Sequence, residues 1–327
     1  MELNLFNLKQ KKSHFPVLIR EVLFLLNNSN NTNQVVVDCT FGAGGYSEAI
    51  LKYTKAKVIA IDRDKSAFTF ANPLKLEYSD RFYFFHNTFS NIDKVLEQLS
   101  IPAVDAIIAD LGVSTMQLLD KERGFSLQNE GPLSMAMGLN QFDAADFINT
   151  AKESELATVI WEYGEEPKSR VIAKAIIEAR KKKQIVTTGQ FSDIIHKALK
   201  RKVNKNGTNS ATKTFQAIRI HVNGELLELI TMLNKLPYLL NNMGKAIMLS
   251  FHSLEDRIIK IFFNDIAKHN NKEDNIGDKF TIFKPKNIKL EAKFNILTKK
   301  VIIPKEDELK ANKNSSSAKL RAIQRVE

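Results

Sequence analysis

Short apolar runs recur along the first 110 residues, and each ends in an acid or a polar loop. Val35, Val36 and Val37 lead into Asp38. Residues 57–61 lead into Asp62, residues 81–85 into the loop 86–91, and residues 104–109 into Asp110. Between these runs the apolar positions fall at helical spacing, up to Tyr53 and again over 65–76. A short continuous apolar run bounded by turn residues predicts a strand buried on both faces. Strands alternating with helices predict a parallel, doubly wound α/β sheet. A short loop and an amphipathic helix over 14–26 precede it.

The alternation then stops. From about residue 120 to 212 the spacing predicts only loops and helices, at 142–149, 153–161, 168–182 and 191–199. A long helix is expected over 213–229. Asn241, Asn242 and Gly244 predict a turn before a strand over 245–251. Ser253 and Asp256 have the spacing of a capping box for a helix over 254–263. Residues 269–278 read as a polar loop. Residues 280–283 and 320–326 are expected as the last strands, with the Lys- and Ser-rich stretch 310–319 between them. The resulting division is residues 1–118, the first part of the sheet domain; 119–212, an inserted helical domain; and 213–327, the second part of the sheet domain.

Composition narrows the class. The chain has 327 residues, 43% hydrophobic and 26% charged, enough to bury a sizeable core. One cysteine, Cys39, excludes a disulfide framework. The six histidines are scattered and show no metal-ligand spacing, so no metal is expected. No apolar run has the length of a membrane span, and the opening residues lack a signal-peptide core, so the expected location is the cytoplasm with no membrane partner. The formal net charge of +11 suits a polyanion. An AT-rich genome, which favours Lys, Asn and Ile codons, would produce part of the same excess. The basic runs 181–183 and 197–205 fall in the insert, and each by itself also reads as a solvated face.

The glycines carry the chemistry. Gly42, Gly44 and Gly45 follow the first strand, and Asp62 closes the second, about twenty residues on. This is the shape of a nucleotide-binding βαβ unit. A dinucleotide fingerprint needs a third glycine where Ser47 stands, and no triphosphate loop is present. What fits is a nucleoside without a pyrophosphate, held by carboxylates: S-adenosylmethionine, with its sulfonium and α-ammonium cations. Asp38, Asp62 and Asp110 would line one edge of the sheet. The alternative is that acids after strands are only turn formers.

A set of longer motifs adds a resemblance. HFPVL, DCTFGAGGYSEAIL, AIDRDKSA, DLGVSTMQL, ERGFS, GPL, YGEE, TFQAIRIHVNGEL, SFHSLEDRIIKIFF and SAKLR occur in one order. Together they resemble the bacterial 16S ribosomal RNA cytosine-N4 methyltransferases of the MraW type, from His14 to Arg321. The resemblance implies a class I (Rossmann-like) S-adenosylmethionine-dependent methyltransferase with an inserted helical domain. Its implied substrate is a cytidine of 16S rRNA in the small ribosomal subunit, and its implied state is a monomer or dimer. Its implied cofactor positions are Gly44, Gly45, Tyr46, Asp62, Phe89, Asp110 and Gln117. Asp62 would hold the ribose, Phe89 would wall the adenine, and Asp110 and Gln117 would serve the adenine edge or the methionine end. The chain departs from the family pattern in three places. Tyr46 stands for a usual His. Ser134, Met135, Ala136, Met137 and Gly138 stand for Asp-Met-Arg-Met-Asp. Asn209 and Ser210 stand for His-Pro.

Cytosine N4 is a poor nucleophile, because its lone pair is delocalised into the ring. An enzyme helps by holding N4 in line with the methyl group, by accepting hydrogen bonds from the amino group and by excluding water. Asp110 is the candidate catalytic acceptor. Ser114, His252 and Asn223 are further candidates, with turn, cap and helix-surface roles as their plainer readings. A methyltransferase of other substrates and an rRNA-binding assembly factor with weak or lost catalysis are the competing functions.

Overall fold

The computed structural model describes residues 16–26, 33–204, 207–268 and 292–327. The expected loop 269–278 and strand 280–283 lie outside the described residues, as do His14 and Lys205. The chain divides into two compact units. One joins Met1–Gly112 to Leu227–Glu327, and the other is Val113–Leu226. The edges expected from sequence, after residues 118 and 212, fall inside the span of the second unit.

The first unit opens with helix α1 (Ile19–Leu26), whose Ile19, Val22, Leu23 and Leu26 are buried at i, i+3, i+4 and i+7 spacing. Strand β1 (Val35–Asp38) and helix α2 (Gly45–Tyr53) flank the glycine loop. Strand β2 (Lys57–Asp62) is followed by a 3-10 turn, Lys65–Ala67, which leads into helix α3 (Phe68–Glu77). Strand β3 (Phe82–His86), helix α4 (Ile92–Gln98) and strand β4 (Val104–Asp110) complete this part. Each strand ends within a residue of its expected end.

The helical unit contains α5 (Thr115–Leu119), α6 (Ala144–Thr150), α7 (Glu153–Gly164), α8 (Ser169–Lys182), α9 (Thr188–Leu199) and α10 (Thr212–Asn223). Its core is its own: Leu133, Met135, Phe147, Leu156, Ile160, Ile172, Ile176, Phe191, Ile195, Phe215 and Ile218 form one apolar cluster. Helix α10 carries the TFQAIRIHVN segment. The single helix expected over 213–229 is in fact two. Gly224, at φ 61°, caps α10 in the left-handed conformation, and α11 (Glu225–Leu239) starts afresh beyond it.

Strand β5 (Leu240–Ser250), helix α12 (Ser253–Lys268), strand β6 (Phe294–Ile296), helix α13 (Glu306–Ala311) and strand β7 (Lys319–Arg325) return to the sheet unit. The expected turn at 241–244 lies within β5. There the pairing with β4 shifts register, and Met243 has φ 63°. The seven strands lie in the order β3-β2-β1-β4-β5-β7-β6. Strands β1 to β5 pair in parallel, and β7 runs antiparallel between β5 and β6. This is the doubly wound, mostly parallel α/β sheet expected from the sequence, with β7 as its antiparallel insertion. No described helix is long and apolar enough to cross a membrane.

Candidate active site

Parallel pairing puts the strand-end acids at one edge. Asp38 lies opposite Ala60 of β2 and Ile108 of β4, Asp62 opposite His86, and Asp110 opposite Leu249. The strand order reverses between β1 and β4, which opens a crevice at the carboxyl ends of the strands, where doubly wound sheets bind ligands.

The glycine loop is tied across that crevice. Cys39 N donates to Ile108 O at 2.8 Å, and Phe41 N to Ile61 O at 3.1 Å. Gly44 sits at φ 78° as the N-cap of α2. A Cβ there would lie 2.7 Å from the Phe41 ring, and one at Gly45 would lie 2.4 Å from Pro16. Side chains are therefore excluded, and the loop presents backbone. Gly42 N donates to Asp62 Oδ2 at 2.6 Å, and Asp64 N to Asp62 Oδ1 at 2.8 Å. Both carboxylate oxygens are held by backbone and keep further lone pairs, the acceptor set a vicinal diol needs. Burial pushes the Asp62 carboxyl above its ordinary range, against these two hydrogen bonds.

Asp38 and Asp110 form the unusual part. Asp38 is fully buried and accepts from Ser47 Oγ at 2.7 Å and Thr40 N at 3.3 Å. Burial pushes its carboxyl up to about 6. For Asp110 burial acts first and the Asp38 charge next, raising it to about 8 even though the neighbouring Tyr46 hydroxyl pulls the other way. Asp110 Oδ1 is buried without a hydrogen-bond partner among the described residues. No described cation offsets either charge. Two buried carboxylates lacking a protein cation fit a ligand that brings one. The sulfonium and α-ammonium groups of S-adenosylmethionine are such cations, so the residues present fit that cofactor.

The other expected residues fall as follows. Tyr46 is buried, and its hydroxyl donates to Val17 O at 2.6 Å, so the residue standing for the usual His is locked in place. Phe89 is half-buried in the loop after β3. Gln117 lies in the helical unit, where it is buried and closes a capping box with Ser114 at the start of α5. Ser114 is thus a cap. His252 is one too: its Nδ1 accepts from Glu255 N at 3.4 Å, while Glu255 Oε2 accepts from Phe251 N at 2.9 Å and His252 N at 3.3 Å. Asp256, expected in the capping box, pairs with Arg321 Nε at 2.7 Å and Lys319 Nζ at 3.2 Å.

Asn223 corrects the helix-surface reading. It is buried. Its Oδ1 accepts from Met137 N and Asn140 Nδ2, and its Nδ2 donates to Met135 O and Arg219 O, all at 2.8–2.9 Å. The loop 134–138, where the chain departs from the family pattern, is therefore held through backbone. Met135 and Met137 are buried, and Ser134, Ala136 and Gly138 are only partly buried. At the third departure, Asn209 Oδ1 bonds His196 Nε2 at 2.8 Å and Ala211 N at 2.9 Å, while Ser210 Oγ donates to Arg201 O at 2.7 Å.

One residue of this neighbourhood escaped the sequence reading, and a second, Glu255, reads there only as part of the helix cap. Thr40 Oγ1 accepts from Asp110 N at 2.6 Å and so joins the glycine loop to the end of β4. Glu255 is buried, and its charge helps to raise Asp110. The i, i+3 spacing of His252 and Glu255 was a usable signal for the second; Thr40 had none.

Known proteins similar to this chain point to one family. Residues 11–326 match the family model described as the MraW methylase family. A protein of Ehrlichia canis named ribosomal RNA small subunit methyltransferase H is 44% identical over 96% of this chain and 100% of its own. Proteins of the same name from a Wolbachia of Drosophila simulans and from Rickettsia bellii are 44% and 41% identical, over 96% and 97% of this chain and 99% and 100% of theirs. An rRNA methylase structure from Streptococcus thermophilus aligns over 96% of this chain and 100% of that one, at 9% identity and a TM-score of 0.41, too distant to add weight. On the match across 11–326 and on relatives above 40% identity along nearly their whole length, the chain belongs to the MraW methylase family.

Proposed function

We propose that this chain transfers the methyl group of S-adenosylmethionine to N4 of a cytidine in small-subunit ribosomal RNA. The observation that carries the reading is the pair of buried carboxylates, Asp38 and Asp110, with no cation between them among the described residues. Family membership adds the substrate class, since the relatives bear the name of small-subunit rRNA methyltransferases. A ribosomal substrate and the lone buried Cys39 suit a cytoplasmic protein.

The cofactor supplies an electrophilic methyl carbon on a positively charged sulfur. The chain's own residues do the rest. The backbone at Gly44 and Gly45 approaches the ligand, Asp62 binds the ribose, and Phe89 covers the adenine. Asp110 faces the reacting end. Without a ligand its carboxyl is largely protonated at neutral pH; a neighbouring cation favours the ionised form. The ionised Asp110 carboxylate would then be the acceptor that orients the N4 amino group. The methylated nitrogen is acidic and gives its extra proton to water, so no strong base is needed.

N4 is out of reach inside an RNA helix, so the target base is splayed out or single-stranded. The helical unit supplies exposed cations at the end of α9: Lys197, Lys200, Arg201 and Lys202. These are the proposed phosphate ligands.

The test is transfer of labelled methyl from S-adenosylmethionine to isolated small ribosomal subunits, with the product mapped as N4-methylcytidine. Transfer to small molecules or proteins but not to subunits overturns the reading. Replacing the four α9 cations by Ala should make RNA binding less salt-dependent, by nearly one log unit for each phosphate that is no longer neutralised.

A further inference from the structure

Helix α11 grips the loop that carries Phe89. Glu228 and Lys235 stand two turns apart on one side of this helix. Glu228 Oε2 accepts from Ser90 N at 3.2 Å. Lys235 Nζ donates to Ser90 O and, at 2.6 Å, to Asp93 Oδ1. Both backbone polar groups of the residue next to Phe89 are thus held by one helix. The other side of the loop is tied to the Asp62 strand end. Asn87 N donates to Asp62 O at 3.0 Å, and Asn91 Nδ2 bonds Asn87 Oδ1 at 2.9 Å and Thr88 Oγ1 at 3.2 Å.

The ion pair is not there mainly for stability. The Lys235 side chain is 26% exposed and that of Asp93 42%, and pairs this wet contribute little to folding. What these bonds do accomplish is geometric: they fix the half-buried Phe89 at a set distance from Asp62.

We infer that Glu228 and Lys235 are positioning residues for the nucleoside of the cofactor. They hold the Ser90 backbone and, through it, the Phe89 ring, beside the strand end that carries Asp62. The inference rests on the cofactor reading of Asp62 and Phe89 given above.

The experiment compares Lys235→Met, Lys235→Arg, Glu228→Met, Phe89→Ala and Asp62→Ala, singly and with each Lys235 or Glu228 change combined with Phe89→Ala, in the full chain. The readouts are S-adenosylmethionine affinity by calorimetry, and KM and kcat with ribosomal subunits. A misplaced ring should raise KM for S-adenosylmethionine about five- to tenfold in Lys235→Met and leave kcat within about twofold. Lys235→Arg, which keeps the charge and the donors, should recover most of the affinity. In the Phe89→Ala background Lys235→Met should cost almost nothing further. A loss of kcat at unchanged KM, or an equal cost with and without Phe89, overturns the inference. Glu228→Met, which removes the acceptor for Ser90 N at similar side-chain volume, should raise KM in the same way and decides the matter if Lys235→Met does not fold. Weaker binding by Asp62→Ala with unchanged binding by Phe89→Ala defeats this inference alone; unchanged binding by both defeats the cofactor reading beneath it.

Discussion

Two buried polar groups, one in each unit, behave in opposite ways. Asn223 in the helical unit spends its whole carboxamide on four partners and fastens the loop 134–140. Asp110 at the edge of the sheet unit keeps one oxygen buried with no partner among the described residues, beside a second acid. A satisfied buried amide belongs to the scaffold, and an unsatisfied buried carboxylate beside the glycine loop is a candidate ligand group. The contrast separates what folds this protein from what it works with.

The sharpest way to break the contrast is Asp110→Asn. It should lower methyl transfer at least about a hundredfold at saturating cofactor, near 2.7 kcal/mol of transition-state stabilisation. The free protein should melt no lower than the parent, because an acid whose ionised form burial penalises is gone. Full activity at saturating cofactor would reduce Asp110 to a cofactor ligand.

Asn223→Ala should do the reverse. It strands the Met137 N–H and the Met135 carbonyl, which should destabilise the helical unit by about 2–3 kcal/mol. Cofactor affinity of the protein that remains folded should stay at the parent value. Denaturant unfolding and calorimetry check the two halves, and an unmoved unfolding midpoint would return Asn223 to the role of a surface residue.

The pH dependence sharpens the same point. The Asp38 and Asp110 carboxyls lie above their ordinary range in the folded chain, at about 6 and about 8. The folded state therefore holds these protons more tightly than the unfolded state does. That stabilisation is full below about pH 4 and is lost as pH rises through about 6 and then about 8. Melting temperatures of the free protein should fall across this window from this cause, and bound S-adenosylmethionine should flatten the fall. Parallel curves with and without cofactor would mean that no cation reaches these acids.

The smallest effect is expected at the loop 134–138. Restoring Asp, Arg and Asp at Ser134, Ala136 and Gly138 should change the methylation rate less than about tenfold, or 1.4 kcal/mol, because backbone bonds already hold the loop. An inactive native chain rescued by this restoration would favour the RNA-binding assembly factor instead.

The legible parts of this molecule were local. Strand ends at Asp38, Asp62 and Asp110 and the glycine turn all follow from periodicity and turn chemistry within a few residues. Gly224 was also readable as a helix stop, and the expected continuous helix passed over it because the apolar spacing resumes immediately beyond. Asn223 was not readable, because three of its four partners lie more than eighty residues away in the chain.

The sequence by itself thus determined the alternation of the first four strands with helices, the acids at three of their ends and the family of the chain. Tertiary structure alone decided the placement of β7 between β5 and β6, the burial that raises Asp38 and Asp110, the tie from Thr40 to Asp110 and the hold of Glu228 and Lys235 on Ser90. Periodicity records which face of an element is apolar. The charge state and partners of a polar group depend on what distant segments bring to it and on how much water they leave.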